Sequence, residues 1–207
     1  MSEADITTGR CAWPGIDEPI YSRYHDNEWG VPKVADRDLF EKLVLEGFQA
    51  GLSWLTILKK RDTFRLAFDN FDAAKIIGYD EAKISALMQD TGIIRNRMKI
   101  EATIDNARAL LELQRQQSLS SFLWAFVDFK PMQNTLRGMA EAPAETAISK
   151  AISKALKAKG FRFVGPTTVY AFMQASGFVN DHFVGCPRYA VCAKLHKSFR
   201  HPEAPAR

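Results

Sequence analysis

The stretch Ala155-Leu156-Lys157-Ala158-Lys159-Gly160-Phe161-Arg162-Phe163-Val164-Gly165-Pro166-Thr167-Thr168-Val169-Tyr170 decides how the rest of the chain is read. Gly160 is placed to end one helix in a left-handed C-cap, Gly165 allows a tight turn, and Pro166 suits the first position of a following helix. The product is two helices joined by a short hairpin. At the start of the second helix, free backbone N–H groups and the hydroxyls of Thr167 and Thr168 form a seat for a phosphate oxygen. Lys157, Lys159 and Arg162 flank that seat with positive charge. Helix-hairpin-helix elements hold the DNA backbone in this way without reading sequence. A plain corner between two helices accounts for the same glycines and proline, and this segment alone does not choose between them.

Working outward, the periodicity is helical nearly everywhere. Apolar residues recur at three- and four-residue steps in Asp36-Arg-Asp-Leu39-Phe40-Glu-Lys-Leu43-Val44-Leu-Glu-Gly47-Phe48, with Asp36 as the expected cap. Similar stripes run from Ile76 to Met88 behind Asp80, and through Ile100, Ile104, Ala107, Leu110 and Leu111. Further helices are expected at Leu119 to Val127, Glu145 to Lys157 and Thr167 to Ala175, with the stretch from Phe129 to Pro143 as a loop. No segment alternates polar and apolar residues long enough for a half-buried strand. The expected class is all-α. Residues 10–192 are expected to form a single unit of two closely packed helical halves, with 1–9 and 196–207 as disordered tails.

The chain has 207 residues, 46% hydrophobic and 25% charged, which is enough to bury one real core. No run approaches the roughly 18 apolar residues of a membrane span, so a soluble, cytoplasmic monomer with no membrane partner is expected. The net charge of +4 suits a polyanionic partner without requiring one. Basic residues gather in Lys59-Lys60-Arg61, in Arg95, Arg97 and Lys99, and in Lys150, Lys154, Lys157, Lys159 and Arg162; taken singly, each cluster also reads as a solvated helix face.

Three cysteines, an odd number, fit reduced thiols or metal thiolates better than a disulfide framework. Cys11 with His25 lies near one end of the chain and His182 with Cys186 near the other, while Cys192 is left over. Two Cys and two His complete a tetrahedral zinc shell. The pairs lie far apart in sequence, so burial as ordinary core residues stands equally open.

Aromatic residues crowd the N-terminal third: Trp13, Tyr21, Tyr24, Trp29, Phe48 and Trp54. Such rings can sandwich an extruded base, best if the base is cationic, and can equally be core. Glu46 sits beside the apolar stripe of its helix, where an unpaired carboxylate is costly, so a fixed partner or a ligand is expected. Gly47 and Gly51 are read as places where another surface comes close to the backbone.

Several strings together resemble one family. They are Arg10-Cys11-Ala12-Trp13, Tyr24-His25-Asp26-Asn27-Glu28-Trp29-Gly30-Val31-Pro32, Leu45-Glu46-Gly47-Phe48-Gln49-Ala50-Gly51-Leu52-Ser53-Trp54, Gly92-Ile93-Ile94-Arg95, Gly160-Phe161-Arg162-Phe163-Val164-Gly165 and Val179-Asn180-Asp181-His182-Phe183-Val184-Gly185-Cys186. The resemblance is to the bacterial 3-methyladenine DNA glycosylase I family and runs from about residue 10 to residue 190. It implies a helix-hairpin-helix fold with one structural zinc on Cys11, His25, His182 and Cys186, joining the two ends of the chain and leaving Cys192, His196 and His201 outside. It implies Glu46 as the base-recognising and catalytic carboxylate, Tyr24 as its polar aromatic neighbour, Trp13 and Trp54 as stacking walls, and Leu52 as a wedge. Lys157, Lys159, Arg162, Gly165, Thr167 and Thr168 are the expected DNA contacts, and Asp181 a capping residue or support of the metal site. The implied activity is release of free 3-methyladenine from alkylated double-stranded DNA, leaving an abasic site; a zinc-stapled DNA-binding module without catalysis is the alternative. Phe48 stands where the family often carries glutamine, and either edges the pocket or joins the core.

Overall fold

The computed structural model describes residues 9–205. Among them run α1 (Pro19–Asn27), α2 (Asp36–Gln49), α3 (Trp54–Ala67), α4 (Ala73–Ile76), α5 (Glu81–Gln89), α6 (Arg97–Gln114), α7 (Leu119–Trp124), α8 (Ala147–Ala158), α9 (Pro166–Ala175) and α10 (Pro187–Ser198). Two strands of two residues each, β1 (Met132–Gln133) and β2 (Val179–Asn180), pair in parallel. Two residues are too few to leave an alternating pattern, so these strands were invisible in the sequence. The protein is mostly helical, as expected.

Helix α2 is the centre. Its residues Leu39, Phe40, Leu43, Val44, Leu45 and Phe48 are all buried, an apolar face far wider than one stripe. Such a helix needs neighbours on several sides, and α3, α6, α7 and α9 supply them. Phe48 belongs to this core: it is 1% exposed, with the Phe64 ring 4.8 Å away and the Phe68 ring 5.9 Å away. Lys99 of α6 reaches under the end of α2, donating to the carbonyls of Phe48 (2.8 Å) and Ala50 (2.9 Å). It thereby satisfies helix-end acceptors that would otherwise be orphaned.

Asp36 does not cap its own helix, whose N-cap is Ala35. Its carboxylate instead accepts from the backbone N–H of Leu119 (3.0 Å) and Ser120 (2.8 Å), capping α7 across the fold. Asp80 does cap α5, as expected, accepting from the Lys83 amide at 2.9 Å.

The stretch 196–207 is not the expected disordered tail over its described part. His196 lies inside α10, where its Nε2 donates to the Gly30 carbonyl at 2.7 Å and its Nδ1 accepts from the Gln133 side-chain amide at 2.6 Å. His201 is buried against Phe129 and bonds the Ser120 hydroxyl at 2.8 Å. Two histidines thus anchor the stretch. Of the expected N-terminal tail 1–9, residues 1–8 lie outside the described residues, and Gly9 is exposed.

One glycine joins the ends of the molecule. Gly177, after α9, has φ +72°, and a Cβ there would lie 2.3 Å from backbone atoms of Val31 and Pro32. This contact, with the bond from the Lys33 amide to the Ser176 carbonyl (3.0 Å), lays the segment leading to His182 against the segment that follows His25.

Candidate active site

The four candidate metal ligands meet. The ligand atoms of Cys11, His25, His182 and Cys186 lie within 4.8 Å of one another, all buried, and can hold a metal ion. Bonds of about 2.3 Å to sulfur and about 2.0–2.1 Å to nitrogen at tetrahedral angles require a sulfur–nitrogen edge of about 3.6 Å. The observed edges are 3.6 Å from Cys11 Sγ to His182 Nδ1, 3.6 Å from Cys186 Sγ to His25 Nε2, and 3.8 Å from Cys186 Sγ to His182 Nδ1. All three cysteines are free thiols.

The surroundings also suit a metal. His25 Nδ1 is 2.8 Å from Asp26, which Arg10 grips in turn at 2.7 Å, and His182 Nε2 is 3.2 Å from the Trp29 carbonyl. Each imidazole thus has an acceptor for its outer N–H while the inner nitrogen faces the cluster, the arrangement that fixes a metal-ligating tautomer. The Phe183 amide donates to Cys11 Sγ at 3.4 Å. Cys192 and His196 stay outside the cluster, as expected, and Cys192 is fully buried.

Beside the cluster opens a cavity of about 260 Å³, lined by Trp13, Tyr21, Tyr24, Trp29, Glu46, Gln49, Trp54, Gln174 and Asp181 among others. That is slightly below the roughly 300–1,000 Å³ of typical small-molecule sites, room for one planar base rather than a whole nucleotide. A larger groove of about 1010 Å³ lies near Phe129 and His201 and shares no lining residue with it. The expected pocket residues Trp13, Tyr24, Glu46 and Trp54 therefore come together, and cluster and cavity share walls. The Trp13 ring meets His25 edge-on at 4.9 Å, and Trp29 meets His182 likewise at 4.6 Å.

Glu46 is 4% exposed and makes no hydrogen bond to the protein among the described residues. Burial raises its carboxyl from 4.5 to about 8, against the pull of Lys42 one turn earlier on α2. Burial also carries the Tyr24 phenol well above its usual value, with Glu46 adding to the shift. The Trp54 indole N–H is buried and has no partner in the protein.

Asp181 supports the pocket, not the metal cluster as expected. It accepts from the Tyr170 hydroxyl, Gln174 and Asn134, each at 2.7 Å, and faces the cavity. Its place next to His182 in sequence was misleading, because the chain bends at His182 just after β2, so that Asp181 faces the cavity and His182 the cluster. Gln49 and Gln174 of the cavity lining were also not foreseen, nor was Lys42 behind the Tyr24 and Trp54 rings. For Lys42 a signal existed: it precedes Glu46 by four residues on the same helix face.

The hairpin between α8 and α9 forms much as read. Gly160 is left-handed at φ +92°, but the residue strained in the turn is Phe163 (φ +55°), not Gly165, which is the N-cap of α9 in ordinary extended geometry. Asn106 holds the turn by accepting from the Arg162 amide (2.6 Å) and donating to its carbonyl (3.1 Å). Gly47 admits Phe163 closely, a Cβ there falling 3.3 Å from its side chain, whereas Gly51 has nothing within 4 Å.

Lys157, Lys159, Arg162 and Thr167 are exposed, and Thr168 half-buried, near this turn. Arg162 is bound to Asp105 at 2.7 Å. In the same cluster Lys150 pairs with Glu145, and in the other two Arg61 pairs with Glu28 and Arg97 with Glu81 and Glu101. Leu52 is 42% exposed on the turn between α2 and α3.

A helical scaffold carrying a base-sized aromatic pocket with a buried carboxylate defines the class, and comparison with known proteins gives the family. The family model for methyladenine glycosylase matches residues 13–189, so the chain belongs to the methyladenine glycosylase family. DNA-3-methyladenine glycosylase 1 of Escherichia coli (strain K12) is 50% identical over 181 residues, 87% of this chain and 96% of that protein. The DNA-3-methyladenine glycosylase of Haemophilus influenzae is 49% identical over 181 residues, 87% of this chain and 97% of that protein. A crystal structure of 3-methyladenine DNA glycosylase I matches at TM-score 0.84 and 50% identity, covering 86% of this chain and 98% of that one. The Staphylococcus aureus enzyme, solved to explain its 3-methyladenine recognition, matches at TM-score 0.80 and 37% identity over 83% of this chain and 92% of that one.

Proposed function

We propose that this protein is a monofunctional DNA glycosylase that releases 3-methyladenine from alkylated duplex DNA, leaving an abasic site for base-excision repair. The observation that carries this reading is Glu46, a buried carboxylate without a protein hydrogen-bond partner in a base-sized aromatic pocket. Methylation at N3 makes the adenine formally cationic, so the glycosidic bond is already weak and little acid catalysis is needed. Selection, orientation and tolerance of a cationic sugar remain for the protein.

Tyr24 and Trp54 enclose the flipped base with Trp13, and their π faces favour a cation over neutral adenine. Glu46 accepts from the exocyclic amine and complements the positive charge. Its raised pKa sharpens the choice, because a neutral base leaves the carboxyl protonated, whereas a cationic one draws it into the ionised form. Asp181, held by three donors, adds a fixed carboxylate to the wall. Water adds to C1′ as the bond to N9 breaks; the bonding pair goes to the base and the water's proton to solvent. Leu52 fills the gap left in the duplex, while the α8–α9 hairpin, read as a helix-hairpin-helix, holds the backbone with Lys157, Lys159 and the start of α9 at Thr167 and Thr168.

The Cys11–His25–His182–Cys186 set fits one zinc ion, because two thiolates and two imidazoles are softer donors than the oxygens that calcium or magnesium takes. Its role there would be structural: the four residues would fill its coordination shell and tie the N-terminal segment to the C-terminal one beside the pocket.

Release of free 3-methyladenine from methylated duplex tests the reading. We expect release by the wild type and a loss of at least about a hundredfold in Glu46→Ala with Trp54→Ala. No release by wild type, or full release by the double variant, would overturn it.

A further inference from the structure

Lys42 is a buried charge that the reaction as described does not use. It is 4% exposed on α2, and its Nζ lies 4.8 Å from the ring centre of Tyr24 and 4.8 Å from that of Trp54. It makes neither an ion pair nor a hydrogen bond among the described residues. The charges acting on it are Glu46, Glu28, Lys33 and Arg61. Arg61 already grips Glu28, at 2.9 Å through one of two bonds, which leaves Glu46, one helical turn away, as the remaining acidic group acting on it. Lys42 does not line the cavity; the two aromatic rings do. Burial lowers the Lys42 ammonium from 10.5 to about 8, so at pH 7 it remains mostly protonated, and this positive charge sits behind the walls against which the base stacks.

We propose that Lys42 is a positioning residue that sets the charge balance of the pocket, disfavouring the cationic bound base and favouring its departure as neutral 3-methyladenine. This rests on the reading that the base lies between Tyr24 and Trp54 against Glu46. As the C1′–N9 bond breaks, the electron pair moves onto the base and cancels its positive charge, while positive charge appears on the sugar at the pocket mouth. A cation behind the base therefore penalises the ground state more than the transition state. Such a difference raises the rate at saturation and weakens substrate binding, the signature of differential binding. Without Lys42 the aromatic cage and Glu46 would hold the cation more tightly and release it more slowly.

With the base stacked on the pocket side of these rings, the two charges are about 8 Å apart. At an effective dielectric of about 20 their repulsion changes binding roughly thirtyfold, and loss of about half the base's charge at the transition state makes the share in rate about fivefold.

The experiment is single-turnover release from duplex DNA methylated at adenine N3, by the full chain carrying Lys42→Met, which keeps the apolar stem, or Lys42→Arg, which keeps the charge. For Lys42→Met we expect half-saturation at a lower enzyme concentration, a plateau rate about fivefold lower, and less than a twofold change in inhibition by neutral 3-methyladenine. Lys42→Arg should restore the wild-type pattern. Rate and affinity falling together, neither changing, or product inhibition shifting as much as substrate binding would each overturn the proposal. The Lys42→Met effect is also measured in a Glu46→Gln background. There it should persist, and its disappearance would place Lys42's action on Glu46 alone and refute action on the base. Undiminished release by Glu46→Gln itself would count against the Glu46 reading, separately from Lys42.

Discussion

Replacing Glu46 with glutamine should make the folded protein more stable while crippling the pocket, and the gain should depend on pH. The carboxyl titrates near 4.5 in the unfolded chain, whereas burial raises it to about 8 in the fold. Between those values the unfolded state gives up its proton and the native state keeps it. Folding of the wild type is therefore penalised increasingly as pH rises from about 4.5, and the penalty levels off above about 8. Each unit of pH across that window is worth at most about 1.4 kcal/mol. Lys42 relieves part of the burial cost, so about 2 kcal/mol at pH 7 is a reasonable expectation. For a chain of this length that corresponds to roughly 4–8 °C in Tm. Calorimetry of wild type and Glu46→Gln at pH 5, 6, 7 and 8 reads the difference directly. It should be near zero at pH 5, favour the variant by pH 7, and grow further at pH 8. A difference independent of pH, or a variant less stable than wild type at pH 8, would refute the assignment of Glu46 as a carboxyl whose ionisation burial penalises.

Other perturbations reach the remaining parts. Cys186→Ser should lower metal content well below the one zinc per chain expected of wild type and, because Trp13 packs on His25 at 4.9 Å, should reduce base release together with Tm; a folded, metal-free and fully active variant would separate staple from pocket. Gly177→Ala should destabilise by at least about 3 kcal/mol, since it combines a left-handed backbone with a Cβ 2.3 Å from the Val31 and Pro32 backbone, and urea unfolding will show whether it does. Lys157→Ala with Lys159→Ala should reduce the slope of log binding constant against log salt by about 1.8 for duplex DNA, leaving the plateau rate unchanged; an unaltered slope would remove the hairpin from the DNA interface.

What could be read from sequence follows the range of the interactions. The helices with local signals were legible: Asp80 caps α5, and the three- and four-residue steps mark α6. Helices α3 and α10 lacked a clean apolar stripe and were not expected, nor were the short α1 and α4. Phe163 shows the limit of local reasoning, because glycine is the usual carrier of a left-handed turn and Gly165 was present two residues on. The strain falls on Phe163, while Asn106 of a different helix binds both backbone groups of Arg162 next to it. Asp36 and Lys99 likewise looked like a cap and a surface cation, yet both serve helix ends distant in sequence.

The sequence by itself determined which chemistry was available: two soft ligands at each end of the chain, a carboxylate on an apolar helix face, aromatic residues around it, and a glycine-bounded hairpin with basic flanks. Those are properties of residue type and short spacing, set by valence, hydrophobicity and backbone freedom. Only the tertiary structure decided which groups meet. It brought Cys11 to His182, turned Asp181 into the pocket, placed Phe48 in the core and set Lys42 behind Tyr24 and Trp54. The physical reason is burial: charge and coordination acquire their strength where water is excluded, and which residues lose their water is settled by the packing of the whole chain.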